Sequence, residues 1–380
     1  MQLRSSSVIS LVSLPDRVFS STVARTSTRR QPMSVLELKS PPPQENSTYL
    51  ALRHFWHPVC YSDDVTDRPH GIQLMGHKIV LARLGDELVA MQDRCPHKGS
   101  ELSLGQIIDC KLECPYHGWQ FNENGDCVRI PAREEMATVV NRKVRKYHAT
   151  ESAGMIWVCL ADTPKYAPPV FPELHNGEYR VLRGKPYDWK TSTPRRLENF
   201  VDFAHFSFVH DGTIGSRDHP RVEAVKVWRE ENVMRFDRSG VKEPGVGKKK
   251  ELLGITDDWI EPTNVYHVTM PHTVHLKRIF PNGKRYVLFM AASPVDATTT
   301  RSFWWQARDF GTEEEHDDFF MDFEDKVLAE DKPIIESQTP IQMDLAGELA
   351  RQEMPVRHAD IVSVEYRRWL LELTNELANV

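Results

Sequence analysis

Two short segments, Arg94-Cys-Pro-His-Lys-Gly99 and Cys114-Pro-Tyr-His-Gly-Trp119, each place one cysteine close to one histidine. Cys95 and His97 form a Cys-x-His pair, and the second segment contains a Cys-x-x-His pair that ends at His117. A mixed set of this kind can hold a zinc ion or a [2Fe–2S] cluster. Zinc fingers usually keep their two cysteines together and their two histidines together. One thiolate and one imidazole in each loop instead favour a cluster in which two sulfurs bind one iron and two nitrogens bind the other.

The composition of the chain excludes several classes of protein. With 380 residues, the chain is long enough for two domains with separate cores. Its net charge is -6 at pH 7 and its one basic run is Lys248–Lys250, so nucleic-acid binding is not expected. No apolar run approaches the roughly 20 residues of a membrane-spanning helix. The six cysteines show no disulfide-framework spacing, and the four outside the two loops are expected to be small buried side chains.

Residues 1–47 are predicted to form an unstructured tail. The first 32 residues contain five arginines, eight serines and a single acid, Asp16, without a long apolar segment. This composition is typical of an organellar transit peptide, which would place the mature protein in an organelle matrix or stroma. Alternatively, translation starts near Met33 and the protein is cytoplasmic.

Residues 48–165 are expected to form a small all-β domain with the cysteine–histidine loops at hairpin tips. Turn residues at Gly85-Asp86 and Asn124-Gly125 separate short apolar runs, and Asn-Gly favours tight hairpins. Antiparallel strands are predicted at Lys78–Arg83, Leu88–Gln92, Trp119–Phe121, Cys127–Ile130 and Gly154–Leu160. A proline-rich crossover over residues 166–172 marks the predicted domain boundary.

Residues 166–380 are expected to form a second domain, which makes the chain a member of the α+β class. A helical patch at Arg195–Val209 precedes strands predicted at Val222–Glu230, Val233–Arg238, Val265–Met270, Val274–Phe280, Arg285–Ala292 and Thr300–Arg308. Thr312 and Glu315 have the spacing of a capping box and predict a helix start. An amphipathic helix is predicted at about Ile361–Leu377. This order predicts an antiparallel sheet packed against helices.

The chain lacks the usual nucleotide-binding loops. Gly240–Lys250 is predicted to be a flexible loop, because no Ser or Thr follows Lys248 as a phosphate loop requires. No Gly-x-Gly-x-x-Gly motif opens a strand–helix unit, so no nicotinamide or flavin domain is expected. Electrons for any redox reaction are therefore expected from another protein.

A second set of possible metal ligands lies between Glu198 and His210. On a regular helix Asn199, Asp202 and His205 are three residues apart and share one face. His210 would point about 140° away from His205, so both reach one ion only if the helix is distorted or ends between them. Two imidazoles and a distant carboxylate would form the facial triad that binds non-haem iron(II).

The two loops and the Asn-x-x-Asp-x-x-His-x-x-x-x-His pattern resemble the α subunits of Rieske non-haem iron oxygenases over about residues 48–375. The resemblance implies a Rieske [2Fe–2S] domain at residues 48–165 and a helix-grip (START/Bet v 1-like) catalytic domain with mononuclear Fe(II) at residues 166–380. The residues implied as cluster ligands are Cys95, His97, Cys114 and His117.

The resemblance also implies roles at the second metal. His205 and His210 would bind the iron, with Asn199 near it. Asp202 would connect an iron ligand to a cluster histidine of the neighbouring subunit in a head-to-tail homotrimer.

A third iron ligand is expected from an acid on the C-terminal helix. The candidates are Asp322, Glu324, Asp325, Glu330, Asp331 and Glu336. Ala329–Gln338 resembles a family segment in which the aspartate before Lys-Pro is the ligand, which selects Asp331. Pro333 lacks a backbone donor and is expected to distort the helix beside this site.

The resemblance implies an enzyme that uses O₂ and electrons from a separate NAD(P)H-dependent flavin/iron–sulfur reductase. Leu52–Cys60 and Leu84–Gln92 look most like the methylxanthine N-demethylase branch. The expected reaction is therefore monooxygenation of an N- or O-methyl group on a small aromatic or heteroaromatic compound, with release of formaldehyde. His272 and His275 are candidates for hydrogen bonds to such a ring. The alternatives are ring or aliphatic hydroxylation, including cis-dihydroxylation, and an electron carrier with an inactive second iron site.

Overall fold

A computed structural model of the chain describes residues 46–137, 142–240, 242–245, 247–343, 345, 353–356 and 358–378. The described residues all belong to one compact unit. The two alternatives for residues 1–32 lie outside the described residues and stay predictions, as does the division of the chain at residue 165. Within the described ranges, no helix has the length and apolar character that crossing a membrane requires.

The first part of the chain is all-β. Its strands are β1 (His57–Tyr61), β2 (His70–Leu74), β3 (His77–Leu84), β4 (Glu87–Gln92), β5 (Gln106–Ile108), β6 (Lys111–Glu113), β7 (Gln120–Phe121), β8 (Cys127–Arg129), β9 (Lys146–Ser152) and β10 (Met155–Cys159). One sheet has the order β1-β10-β9-β4-β3-β2, and a smaller sheet has the order β5-β6-β7-β8. The strands predicted here are confirmed within a few residues.

The second part contains a large antiparallel sheet. Its strands are β11 (Arg180–Arg183), β12 (Tyr187–Trp189), β13 (Trp228–Glu230), β14 (Val233–Arg238), β17 (Thr263–Thr269), β18 (Thr273–Ile279), β19 (Arg285–Pro294) and β20 (Thr300–Arg308). A separate ribbon pairs β15 (Glu243–Pro244) with β16 (Trp259–Ile260). The large sheet has the order β11-β20-β19-β18-β17-β14-β13, and β12 also pairs with β20.

Six helices complete the described fold, and they confirm the predicted α+β class. They are α1 (Ser47–Ala51), α2 (Thr193–Val201), α3 (Phe206–Val209), α4 (Gly247–Leu253), α5 (Asp317–Glu336) and α6 (Ile361–Leu377). The predicted bounds of the last helix are confirmed.

The large sheet is buried on both faces, which explains the continuous apolar run of β19. Val287 and Phe289 point towards a cluster that includes Trp157 of the N-terminal region. Met290 belongs to a different cluster, which contains residues of α2 and α6 such as Leu197. Successive residues of a strand point to opposite faces, so a strand covered on both sides must be apolar throughout.

The start of α5 differs from the prediction. Thr312 does not cap a helix, because the turn Glu314–His316 intervenes and α5 begins at Asp317. The Asp317 carboxylate accepts hydrogen bonds from Arg180 and from the fully buried Arg308. These ion pairs tie the first turn of α5 to the sheet, a tertiary constraint that the capping-box spacing does not contain.

The predicted flexible loop at Gly240–Lys250 is also wrong for its last residues, which begin α4. Lys249 donates to Glu243 at 2.9 Å, and only 13% and 1% of these two side chains are exposed. Leu253 is fully buried. Packing and a buried ion pair therefore order a segment whose composition favours a loop.

Two smaller features differ from the sequence expectations. The strand predicted at Val222–Glu230 covers only Trp228–Glu230, because its hairpin partner begins at Val233 and the two strands make three pairs. Cys110 is exposed at the turn of the β5–β6 hairpin rather than buried. Pro333 lies inside α5, which ends at Glu336.

The buried pair of His57 and His272 makes stability depend on pH. Burial lowers the pKa of His57 to about 4 and that of His272 well below 6.5. In the unfolded chain a histidine has a pKa near 6.5. Below that pH the unfolded state therefore binds protons that the folded state does not bind. Stability is therefore lost as pH falls from about 6.5 towards 4. For His57 alone the loss at pH 5.5 is on the order of 1 kcal/mol.

We predict that His57→Gln reduces the fall in melting temperature between pH 7 and pH 5.5, because glutamine can still donate to the Leu52 carbonyl but does not titrate. His57 Nε2 lies 2.8 Å from this carbonyl. The exposed His148 provides the control variant His148→Gln, which should leave the fall unchanged. An equal fall in the wild type and both variants would contradict the prediction.

Candidate functional site

The two cysteine–histidine loops have the same backbone geometry. In the first loop, Cys95 N–H donates to the Ser100 carbonyl (2.8 Å) and Gly99 N–H donates to the Cys95 carbonyl (2.9 Å). In the second loop, Cys114 N–H donates to the carbonyl five residues later (2.8 Å), and Gly118 N–H donates back to Cys114 (3.1 Å). Both glycines have positive φ, +80° and +67°, a region that favours glycine. The two loops therefore have matching backbone conformations, and their histidine rings lie next to one another.

The side chains of these loops fit a cluster with two kinds of ligand. Cys95 and Cys114 are buried, each 2% exposed, whereas the imidazoles of His97 and His117 are exposed and lie 4.6 Å apart between ring centroids. The His97 ring also stacks on Trp119 at 4.6 Å, which holds its orientation. Buried sulfurs and exposed imidazoles suit a cluster that lies near the protein surface.

Electrostatics at the loops also fit iron binding. Burial raises the pKa of the Cys95 thiol to about 12, although backbone N–H groups of His97 and Lys98 point at the sulfur and lower it. A thiolate in this position therefore needs a nearby positive charge, which iron supplies. Burial, His117 and Lys98 lower the pKa of His97, which favours the neutral imidazole that a metal ligand must be.

The zinc alternative is less well supported by the geometry. Among the described residues, only His205, His210 and Asp331 bring three potential ligand atoms within 4.8 Å of one another. The cysteines and histidines of the two loops are spread more widely than the four ligands of a single tetrahedral ion. A two-iron cluster spans such a separation.

A break in the helix explains how His205 and His210 can both face one ion. Regular helix ends at Val201, and Asp202 is extended, with ψ of 136°. Its Oδ1 accepts a hydrogen bond from Ala204 N–H at 2.8 Å, which stabilises the turn. His205 then precedes the single turn α3 and His210 follows it. The prediction that Asn199, Asp202 and His205 share one regular helix face is therefore wrong, because the helix ends before Asp202.

The structure brings His205, His210 and Asp331 together. Asp331 Oδ1 lies 3.4 Å from His205 Nε2 and 3.2 Å from His210 Nε2. Asp331 is 6% exposed and His210 is 1% exposed. Burial opposes ionisation of Asp331, but its contacts with the two imidazoles lower the pKa of its carboxyl group. Two nitrogens and one carboxylate oxygen on one side leave the other side open, as in the facial triad of non-haem iron(II).

The other acids considered for the third ligand lie elsewhere. Asp322 and Asp325 are exposed. Glu324 is buried and accepts a hydrogen bond from Tyr286 at 2.8 Å, and Glu336 accepts one from Lys190 N–H at 2.9 Å. The sixth candidate, Glu330, lies behind the triad rather than within it.

Sequence reasoning missed the role of Glu330 as a partner of His210. Glu330 Oε2 lies 2.8 Å from His210 Nδ1, and Thr213 donates to Glu330 Oε1 at 3.3 Å. Carboxylates behind metal-binding histidines select the tautomer and orient the ring. The sequence contains no signal for this contact, because Glu330 is one of several acids on α5.

Asn199 and Asp202 both lie at the triad, as expected from the pattern. Asn199 Nδ2 donates to Asp331 Oδ1 at 3.2 Å, and Arg196 donates to Asn199 Oδ1 at 2.8 Å. Asp202 Oδ2 lies 3.4 Å from His205 Nδ1, and its side chain is 34% exposed. An open cavity of about 270 Å³ lies against Asp202, His205 and Asp331.

The candidate hydrogen-bond donors to a substrate ring lie away from the triad. His272 is buried and stacks on His57 at 6.3 Å. His275 contacts Glu173 at 2.9 Å and stacks on His267 at 5.8 Å.

Comparison with known proteins agrees with this geometry. Residues 55–147 match the Rieske [2Fe-2S] domain, and residues 189–376 match the vanillate O-demethylase oxygenase C-terminal domain. Methylxanthine N1-demethylase NdmA of Pseudomonas putida is 34% identical over 330 residues, 85% of this chain and 89% of NdmA. Methylxanthine N3-demethylase NdmB of the same organism is 33% identical over 342 residues, 87% of this chain and 91% of NdmB.

The fold agrees as well. The structure of NdmA from Pseudomonas putida CBB5 with caffeine superposes with a TM-score of 0.77 at 34% identity, covering 87% of this chain and 93% of NdmA. Proteins of this family bind a Rieske [2Fe–2S] cluster and mononuclear iron. On sequence, fold and the arrangement of both sets of ligands, the chain belongs to the Rieske non-haem iron oxygenases.

Proposed function

We propose that this chain is an oxygenase component that removes an N- or O-methyl group from a small aromatic or heteroaromatic compound. In balanced form, the methylated substrate, O₂, two electrons and two protons give the demethylated product, formaldehyde and water. The observation that carries the proposal is the facial arrangement of His205, His210 and Asp331 in a chain that also has both cluster loops. Iron bound there would supply dioxygen activation, with coordination positions left for O₂ beside the substrate. The similarity to NdmA and NdmB favours demethylation over other oxygenations.

Each residue of the two sites has a proposed role. Cluster ligands would be Cys95, His97, Cys114 and His117, and iron ligands would be His205, His210 and Asp331. Asn199 would orient Asp331 through the hydrogen bond at 3.2 Å. The acids behind the two imidazoles, Asp202 and Glu330, would hold the rings in place.

The chain would work as a head-to-tail homotrimer supplied by a separate NAD(P)H-dependent reductase. Asp202 is partly exposed on an open cavity, and exposed apolar side chains flank that cavity at Ile334 and Met354. Exposed apolar side chains also surround the cluster loops, at Leu104 and Tyr116. These two surfaces suit a contact that places the cluster of one copy against Asp202 of the next.

We predict that formaldehyde and O₂ consumption are equal in amount when the holoenzyme and a surrogate reductase turn over an N-methyl- or O-methyl-substituted aromatic compound. The measurement combines an oxygen electrode with a formaldehyde assay over a panel of methylxanthines and methoxybenzoates. His210→Ala, which removes a proposed iron ligand, should abolish both signals and lower iron from three to two per chain.

Two outcomes would support the alternatives instead. Hydroxylated products without formaldehyde would favour a ring or aliphatic hydroxylase of the same family. Two irons per wild-type chain, with a normal cluster spectrum, would favour an electron carrier.

We predict that Asp202→Asn leaves the cluster spectrum and iron content intact but reduces coupled turnover by about 10- to 100-fold. The physical reason is that an amide carries no charge to hold His205 or to attract a partner histidine. Electron paramagnetic resonance, iron analysis and formaldehyde yield per NADH oxidised would test this. Asp322→Asn, at an exposed acid of α5, is the matched control. Full coupling in Asp202→Asn would rule out the bridging role.

We predict that Glu330→Ala weakens Fe(II) binding by about 10- to 100-fold, because His210 loses the carboxylate that orients its ring. Glu330→Gln keeps an acceptor for the His210 Nδ1–H group and should lose less. Equilibrium titration of the metal-depleted second site with Fe(II) measures this without any turnover. Asp325→Asn, an exposed acid on the same helix, should bind iron as the wild type does. Unchanged affinity in Glu330→Ala would exclude a positioning role.

A further inference from the structure

Arg238 is a buried guanidinium without an acceptor. It is 6% exposed, and it forms no hydrogen bond or ion pair with any residue that the structure describes. Its Nη1 group is fully buried, and its Cζ lies 3.9 Å from the centroid of the Phe203 ring. A cation–π contact stabilises the charge but gives the Nη1 group no hydrogen-bond acceptor. Burying an unpaired charge of this kind is costly.

The other buried arginines of the described ranges are all paired. Arg195 and Arg308 each bind a carboxylate, and Arg196 donates to Asn199 Oδ1 at 2.8 Å. The fold therefore supplies acceptors to buried guanidinium groups elsewhere. Burial lowers the pKa of Arg238 only to about 10, so this group remains charged at neutral pH.

Arg238 lies on the face of the large sheet that looks towards the iron triad. The Phe203 ring that covers it packs edge-on against Phe206, with centroids 5.9 Å apart. Phe206 in turn contacts the rings of His205 at 4.9 Å and His210 at 5.8 Å. Two phenylalanine rings therefore separate the unpaired guanidinium from the proposed iron ligands, and an aromatic compound suits such surroundings.

The neighbours of Arg238 on the sheet do not neutralise it. In the strand register Arg238 is opposite Asn264, and Asn264 is opposite Arg278. Arg278 donates to Asn264 Oδ1 at 3.0 Å and to Glu243 Oε2 at 2.6 Å. The second oxygen of Glu243 is bound by Lys249 at 2.9 Å. Both carboxylate oxygens of Glu243 are thus engaged by other cations.

The acids around this row give Arg238 no hydrogen-bond acceptor. Glu324 interacts with Arg278 and Lys249, and it also accepts a hydrogen bond from Tyr286. The charge of Asp202 acts on Arg238, but its two oxygens are turned towards Ala204 N–H and the His205 ring. Among the described residues, the Arg238 Nη1 group therefore stays without an acceptor.

From this arrangement we infer that Arg238 binds the carboxylate of an aromatic or heteroaromatic acid, which is the substrate class of the oxygenase; the inference rests on the proposed function. A guanidinium can donate two parallel hydrogen bonds to one carboxylate, which fixes the direction of the ring as well as adding affinity. The ring would lie beside Phe203 and Phe206, with its methyl-bearing side towards the triad. A neutral ring would leave Arg238 unpaired and is expected to bind more weakly.

Titration calorimetry of the holoenzyme with matched ring pairs tests this inference. The pairs are benzoate with benzamide and nicotinate with nicotinamide, which differ in charge but not in ring. The wild type should bind each carboxylate at least about tenfold more tightly than its amide, as charged hydrogen bonds predict. Acetate, a carboxylate without a ring, should bind more weakly than benzoate.

Substitution of Arg238 should remove this selectivity. In Arg238→Met the acid and the amide should bind within about threefold of one another, and Arg238→Lys, which keeps the charge but not the fork, should be intermediate. The ligand-free melting temperature of Arg238→Met should be unchanged or higher, since an unpaired buried charge is removed. Arg235→Met is the control, because Arg235 lies on the same strand but on the opposite face and pairs with Glu230.

The inference is rejected if the wild type shows no preference for carboxylates, if none of them binds, or if Arg238→Met keeps the preference. A melting temperature that falls by several degrees in ligand-free Arg238→Met would assign the guanidinium a structural role instead. If Arg238→Met does not fold, the inference is tested by the carboxylate selectivity of the wild type and of Arg238→Lys. Formaldehyde from neutral methylated rings, without carboxylate selectivity, would reject the anion site but retain the demethylase. Carboxylate binding that depends on Arg238, without release of formaldehyde, would retain the anion site but reject the demethylase.

Discussion

Burial of the large antiparallel sheet on both faces is the constraint on which the rest of the structure depends. One face packs on the N-terminal region, where Trp157 is fully buried, and the other packs on helices that carry the iron triad. Tyr61 joins the two parts, because its hydroxyl donates to the Gly184 carbonyl (2.8 Å) and accepts from Trp304 N–H (3.2 Å). A sheet packed on both faces in this way connects the two sets of proposed metal ligands.

The proposed iron triad shows how a buried carboxylate is kept paired. Asp331 would be costly to bury alone, but two imidazoles and the Asn199 amide share its oxygens. Each imidazole in turn has an acid on its far side, Asp202 for His205 and Glu330 for His210. Among the described residues, the buried cations Arg308 and Lys249 likewise pair with carboxylates from neighbouring elements. Such networks are rigid when fully paired, which is what metal ligands need.

An identity of 34% to NdmA over 330 residues shows the family of this chain, but it does not identify the substrate. A pocket depends on side chains that point inward from several strands, and these can change without disturbing the frame.

The sequence by itself determined the two cysteine–histidine loops and the α+β class, because both depend on local spacing and period, whereas the choice of Asp331 came from resemblance to a family segment. Only the tertiary structure decided where α2 ends, which acid supports His210, why the segment around Lys249 is helical and which guanidinium has no partner. Those features depend on contacts between residues more than a hundred positions apart in several cases, such as His210 and Glu330. No pattern of neighbours along the chain encodes which of several similar acids or arginines will meet, since folding brings them together through packing of the sheet and helices.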